Sequence, residues 1–261
     1  MSIRWASRVQ AIADIGTARN NGFLDVQLPV EAIMELGDLD FEGFRKDSTA
    51  LGTIFEVFEA PLPKGVQITE QGFNTYHWTE YLGAALKRLS ILGCRTLVWG
   101  DGRSRLLPVE GDVSTAKEHF YQFMFLLCGM AENFGIEVCL EPLGPRRTNF
   151  INSLDEMKEC VSLIDRSNLS MLISPRDLHE TGTGMTMLQD AGNRIRHVHV
   201  ENPTSPEASI PPDPSDGQDY LSFFNILRRL DYSGVISLSY GATAASLAYC
   251  RTLWEAAGSS L

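Results

Sequence analysis

Eight short apolar or β-branched runs recur along the chain, each followed by a longer amphipathic stretch, and this alternation constrains the fold more than any other feature. The runs lie near 2–6, 23–28, 53–58, 94–99, 136–141, 169–174, 195–200 and 234–239, and the clearest are Thr96-Leu97-Val98-Trp99, Ile136-Glu137-Val138-Cys139-Leu140 and Val198-His199-Val200. Helices are predicted between them, over His77 to Leu92, Ser114 to Phe134, Ser153 to Ile164, Asp219 to Leu230 and Ala242 to Ala257. Ser153 offers a hydroxyl to the first free amides of its helix, with Glu156 placed to return the bond. Gly93 and Gly135 stand between a helix and the next strand, where positive φ is cheap for glycine. No composition break resembles a linker, so residues 1–261 are predicted to form one α/β domain, a single (β/α)8 TIM barrel. The competing architecture, an open doubly wound sheet, is weakened by the lack of a glycine-rich phosphate loop after any strand.

Composition narrows the function classes. The net charge of −11 disfavours a nucleic-acid surface, which needs a basic face to neutralise phosphates, and leaves room for a small anion held by local arginines. The five cysteines are scattered without a CxxC pair and are read as reduced thiols. The N-terminus lacks the apolar core of a signal peptide, and no run approaches the roughly 18 apolar residues of a membrane span. A cytoplasmic protein without membrane or nucleic-acid partners is expected. Homodimerisation is possible for a barrel of this size. The segment 203–217, with five prolines, follows a strand end and is read as a lid over the mouth.

In a parallel barrel the chemistry sits at the C-terminal ends of the strands. Val138-Cys139-Leu140-Glu141 is a buried strand ending in a carboxylate, followed by a loop with Arg146 and Arg147. Later strand ends present Ser174, His199 and Ser239. Of His197 and His199, only one is assigned to the interior, His199. Trp5, Trp99 and Phe150 are read as core packing.

Val98-Trp99-Gly100-Asp101-Gly102 with Arg103 and Arg105, Leu140-Glu141-Pro142-Leu143 with Thr148-Asn149-Phe150, His197-Val198-His199-Val200, and Tyr232-Ser233-Gly234-Val235-Ile236-Ser237-Leu238 together resemble the xylose isomerase-like TIM barrels, in particular the sugar-phosphate isomerases and epimerases. The resemblance implies a divalent metal (Mn, Mg, Co or Zn) held by Glu on the fifth strand, Asp on the sixth, His on the seventh and Glu on the eighth. Such a cation binds vicinal sugar oxygens and polarises the carbonyl. Glu141 and His199 match the first and third ligands, and Ser174 and Ser239 stand where the two carboxylates are implied. Arg147 replaces a substrate-contacting Glu, Asp177 a His, and Gln27 a Glu at the end of strand two. One anionic ligand is thus left where the family has three, and no confident cofactor is assigned, Glu141 and His199 being the residual metal candidates. Asp177, His179 and Glu180 could rebuild a shifted site, or serve as a polar loop or helix cap.

Glu141 and His199 are therefore the candidate catalytic pair. Arg103, Arg147, Asn149, Arg176 and Asp177 are the candidates for substrate contact, with solvated loop arginines as the plain alternative. The resemblance implies a sugar (phosphate) isomerase or epimerase of carbohydrate metabolism, acting on or binding a small sugar, sugar phosphate or sugar-acid derivative with a degraded metal site. A non-catalytic ligand-binding or regulatory barrel is the other reading. An abasic-site endonuclease shares the architecture and would need more metal ligands and a basic face.

Overall fold

A computed structural model describes residues 3–184, 187–191, 194–204 and 209–258. Its strands are β1 (Arg4–Arg8), β2 (Asp25–Pro29), β3 (Val57–Glu59), β4 (Thr96–Trp99), β5 (Glu137–Leu140), β6 (Leu169–Ile173), β7 (Ile195–Val200) and β8 (Val235–Leu238). All neighbours pair in parallel, and β8 returns to β1, so the sheet closes into a barrel in chain order. In that register Ser7 lies opposite Leu238, Arg8 opposite Gln27, and His199 opposite Ser237. Crossover helices are α1 (Ile15–Asn20), α2 (Val30–Met34), α3 (Asp38–Ala50), α4 (Thr79–Leu92), α5 (Val113–Glu132), α6 (Leu154–Ile164), α7 (Pro175–Glu180), α8 (Leu188–Ala191), α9 (Tyr220–Arg229) and α10 (Ala244–Gly258). Among the described residues no helix is long and apolar enough to cross a membrane.

Strand periodicity sorts the side chains into two separate apolar masses. Outward residues such as Trp5, Leu97, Trp99, Leu140 and Ile236 join the helices in one large core. Trp99 stacks on Phe120, whose ring meets Phe150 edge-on, while Trp5 meets Phe224 edge-on, so these aromatics pack the shell as the sequence suggested. Inside the barrel a small plug of Ala6, Val57, Val98, Cys139, Leu172 and Val235 fills the middle layer. The next inward residue on most of these strands is polar, Arg8, Glu59, Glu141, Ser174 and Ser237, with Gly100 after β4 carrying no side chain. The plug thus forms the dry floor of a polar mouth.

Local chemistry explains the helix ends. Gly93 and Gly135 take φ of +93° and +64°, as left-handed caps require. Asp112 accepts from the Thr115 amide at 3.0 Å and Asp219 from the Ser222 amide at 3.0 Å. Ser153 accepts from the Glu156 amide at 3.1 Å, but Glu156 returns its bond to the Asn152 amide rather than to Ser153. All five cysteines are free and buried. Residues 205–208 of the proline-rich segment lie outside the described set. Its later part folds on itself, with Asp216 bonded to the Asp213 amide and to the Tyr220 hydroxyl.

Candidate active site at the barrel mouth

His197 and His199 both point inward, correcting the assignment of only one to the interior. Residues two apart on a strand share a face, and the two rings lie 5.1 Å apart, edge to face. Gln27, at the C-terminal half of β2, ties them together. Its carbonyl accepts from His197 Nε2 at 3.1 Å, and its amide donates to Glu59 and to His199 Nε2 (3.0 Å). That leaves His199 Nδ1–H to donate to Glu141 Oε1 at 3.2 Å. Burial first, then Arg8, push His199 down to about 3, so the imidazole is neutral.

Glu141 follows β5 directly and is 2% exposed. Burial pushes its carboxyl up to about 7, with Arg147, Arg8 and Arg105 pulling the other way. Its Oε2 packs against Gly100 so closely that a Cβ there would overlap it, which is why the residue ending the β4 turn carries no side chain. Arg105, fully buried, donates Nη2 to the Glu141 backbone carbonyl at 2.5 Å.

Two further carboxylates share the mouth, and neither was identified from sequence. Glu59 ends β3 and Glu201 follows β7. Both are fixed by Arg8, the last residue of β1: Nε donates to Glu59 at 3.0 Å and Nη1 to Glu201 Oε1 at 2.9 Å. Arg8 Nη2 donates to the Tyr240 hydroxyl at 3.1 Å, its guanidinium lies 4.5 Å over the Tyr240 ring, and Tyr240 donates to Glu59. Glu201 Oε2 accepts from Arg176 Nη1 at 3.0 Å. Burial alone would raise Glu201, but Arg8, His199, Arg147 and Arg176 outweigh it and bring the carboxyl down to about 2. The one anion counted at the implied ligand positions thus has two carboxylate neighbours that the strand pattern did not reveal, because both stand one position past the predicted strand ends.

The other candidates disperse. Ser174 caps α7, accepting from the Asp177 amide at 3.1 Å and donating to Asp177 Oδ2 at 2.6 Å. Asp177 also binds Arg147 and the Gly144 amide (2.8 Å), clamping the β5 loop to α7. Asn149 is exposed and exchanges two hydrogen bonds with the Leu107 backbone, and neither residue lines the mouth cavity. Arg176 lies beneath the mouth between Glu180 and Glu201, and His179 is exposed. Arg103 reaches the mouth cavity, about 800 Å³, which is also lined by Arg8, Glu59, Asp101, His199 and Tyr240.

Among the described residues one group could gather around a metal ion, Glu141, His199 and Glu201, with ligand atoms within 4.8 Å of one another. This group does not fit a hard dication. Both Glu201 oxygens are already held by guanidinium nitrogens, and Ser174 is turned into its helix cap. A dication about 4 Å from one guanidinium would be repelled by about 8 kcal/mol at an effective dielectric near 20, twice the figure for unit charges. Buried Ser239, whose hydroxyl has no partner, supplies at most a neutral oxygen.

The model of the xylose isomerase-like TIM barrel family matches residues 18–253. No curated protein matches the sequence. Among solved structures, an L-ribulose 3-epimerase superposes with a TM-score of 0.82 at 14% identity, covering 99% of this chain and 97% of that one. A 3-keto-D-glucoside 4-epimerase from E. coli gives 0.78 at 17% identity (96% and 100% covered), and a family 2 AP endonuclease from Brucella melitensis 0.75 at 18% (96% and 99%). At such identities these likenesses establish the fold alone. With nearly its whole length matched by the family model and its sheet closed in chain order, the chain belongs to the xylose isomerase-like TIM barrel family.

Proposed function

We propose that the protein binds a small sugar or sugar-acid derivative in the barrel mouth and moves a proton on it, as a sugar isomerase or epimerase whose divalent-metal site is degraded. One observation carries this reading: a buried carboxyl, Glu141, raised to about 7 and bonded to a neutral imidazole, His199, that lines the mouth cavity. A carboxyl with a pKa near the working pH both accepts and returns a proton with little driving-force penalty. Arg8, Arg103, Asp101 and Tyr240 surround that cavity with donors and acceptors suited to hydroxyl groups.

The other mouth carboxylates do not share this role. Glu59 accepts from Arg8, Gln27 and Tyr240, and burial notwithstanding, Arg8 and His199 hold its pKa below the ordinary value. It is a poor base. With one exchangeable carboxyl, the site favours a proton shift between adjacent carbons on one face over inversion at a single carbon, which needs delivery from the opposite face.

The test is product analysis by NMR after incubation with a panel of ketoses, aldoses and uronic acids, including D-fructose and D-tagatose. Wild type is expected to interconvert at least one aldose–ketose pair. Glu141→Gln should lose turnover by at least about 100-fold while sugar affinity stays within about tenfold. No binding and no turnover across the panel would overturn the reading. Binding without turnover would instead favour a ligand-binding barrel, a reading supported by the cavity lining, which includes His199 and Gly100 and not Glu141.

A further inference from the structure

A cation gathered by Glu141, His199 and Glu201 would have to compete with Arg8 for Glu201. Arg8 uses three of its five N–H groups on Glu59, Glu201 and Tyr240, and its ring contact with Tyr240 fixes the plane of the fork. The two remaining N–H groups, one on each terminal nitrogen, have no partner among the described residues, and Arg8 lines the mouth cavity with 13% of its side chain exposed. Glu201 cannot release it cheaply, because the oxygen that Arg8 holds would be left unpartnered in a site 1% exposed.

We propose that Arg8 takes the place of the divalent cation: its guanidinium, held rigid by Glu59, Glu201 and Tyr240, binds the ligand's oxygens and makes the mouth metal-independent. This rests on the reading of the mouth as a sugar site. Adjacent nitrogens of a planar fork match two oxygens on neighbouring atoms, so the ligand class is an open-chain α-hydroxy carbonyl sugar. When the C–H proton beside the carbonyl passes to Glu141, the C–H pair forms the C=C bond of the enediolate, the carbonyl π pair moves onto the oxygen, and the guanidinium neutralises the charge collecting there. The donors are already oriented by buried partners and need no reorganisation at that moment. Arg8→Lys would keep the charge and lose the fork.

Two measurements test this, and the first needs no sugar. Mn2+ is titrated calorimetrically into chelator-treated wild type, Arg8→Ala and the milder Arg8→Gln. Removing the guanidinium frees Glu59 and one oxygen of Glu201 beside Glu141 and His199, so both variants are expected to bind Mn2+ at least tenfold more tightly than wild type. Equal affinity, or stoichiometric tight Mn2+ in the wild type, would overturn the proposal. The second measures sugar binding in EDTA for whichever sugar the panel identifies: wild type should be unaffected, Arg8→Lys weakened at least tenfold, and Arg8→Ala partly restored by added methylguanidine. Loss of wild-type binding in EDTA would also overturn it. Should no sugar bind the wild type, the sugar reading fails while the Mn2+ comparison still decides the role of Arg8.

Discussion

A buried carboxyl that ionises near pH 7 makes the folded state less stable in alkaline medium than a neutral isostere would, and Glu141 is such a group. Its pKa is raised from 4.5 to about 7 on folding, so between these values the folded protein holds a proton that the unfolded chain has lost. The stability associated with that proton is complete below about pH 4.5 and disappears as the pH rises through 7. Glu141→Gln removes the dependence. At about 1.4 kcal/mol per pH unit, the variant should be more stable than wild type by up to about 3 kcal/mol at pH 8, and the difference should fade toward pH 4.5. Paired urea unfolding curves across that range measure it, and a constant difference would show that Glu141 titrates normally. Asp177, raised to about 6 by burial despite Arg147 and Ser174, adds a penalty of the same sign over a lower window in both proteins. Asn149→Ala tests a different residue-level point. Losing two bonds to the Leu107 backbone should lower stability by about 1–2 kcal/mol and leave sugar affinity unchanged. A large affinity loss would place Asn149 in the binding site after all.

Two short elements set the mouth geometry, the β4 turn and α7. Gly100 gives Glu141 Oε2 the space a methyl would fill, so Gly100→Ala should depress turnover as far as Glu141→Gln while far-UV circular dichroism stays unchanged. Unchanged turnover would mean that the carboxylate has room elsewhere. Ser174 begins α7, followed by Pro175 at the first helical position, a cap signal present in the sequence that its strand-end position obscured. Strand ends explain most of what the sequence concealed. The predicted β1 run stopped at residue 6, β3 at 58 and β7 at 200, and the decisive Arg8, Glu59 and Glu201 stand just beyond. Apolar patterning locates the strand body but not its polar last residue, because the mouth begins where the apolar pattern ends. α3 escaped detection for a related reason: only Phe41 and Ser48 are buried along Asp38–Ala50, leaving no apolar stripe to read.

At the scale of the molecule, barrel closure was legible because eight apolar runs and their crossovers admit few other arrangements, whereas the site depended on pairings that closure alone creates. Arg8 and Glu201 are separated by 193 positions in sequence and bond at 2.9 Å. The resemblance pointed to Glu141 and His199 as candidates, and neither the candidates nor Ser174 and Ser239 pointed to Arg8, Glu59 or Glu201. The same closure predicts that neither Ser174→Asp nor Ser239→Glu alone creates tight Mn2+ binding, since Arg8 and Arg176 still hold Glu201. Tight binding in either single variant, by calorimetry, would show that the cation site is nearly intact. Deuterium incorporation tests most directly whether the mouth moves a sugar proton at Glu141. Wild type and Glu141→Gln are incubated with the panel sugars in D2O containing EDTA, and the carbons beside the carbonyl are followed by NMR. Deuterium is expected at such a carbon with wild type and none with Glu141→Gln. Label that persists in Glu141→Gln, or that no panel sugar acquires with wild type, would contradict it.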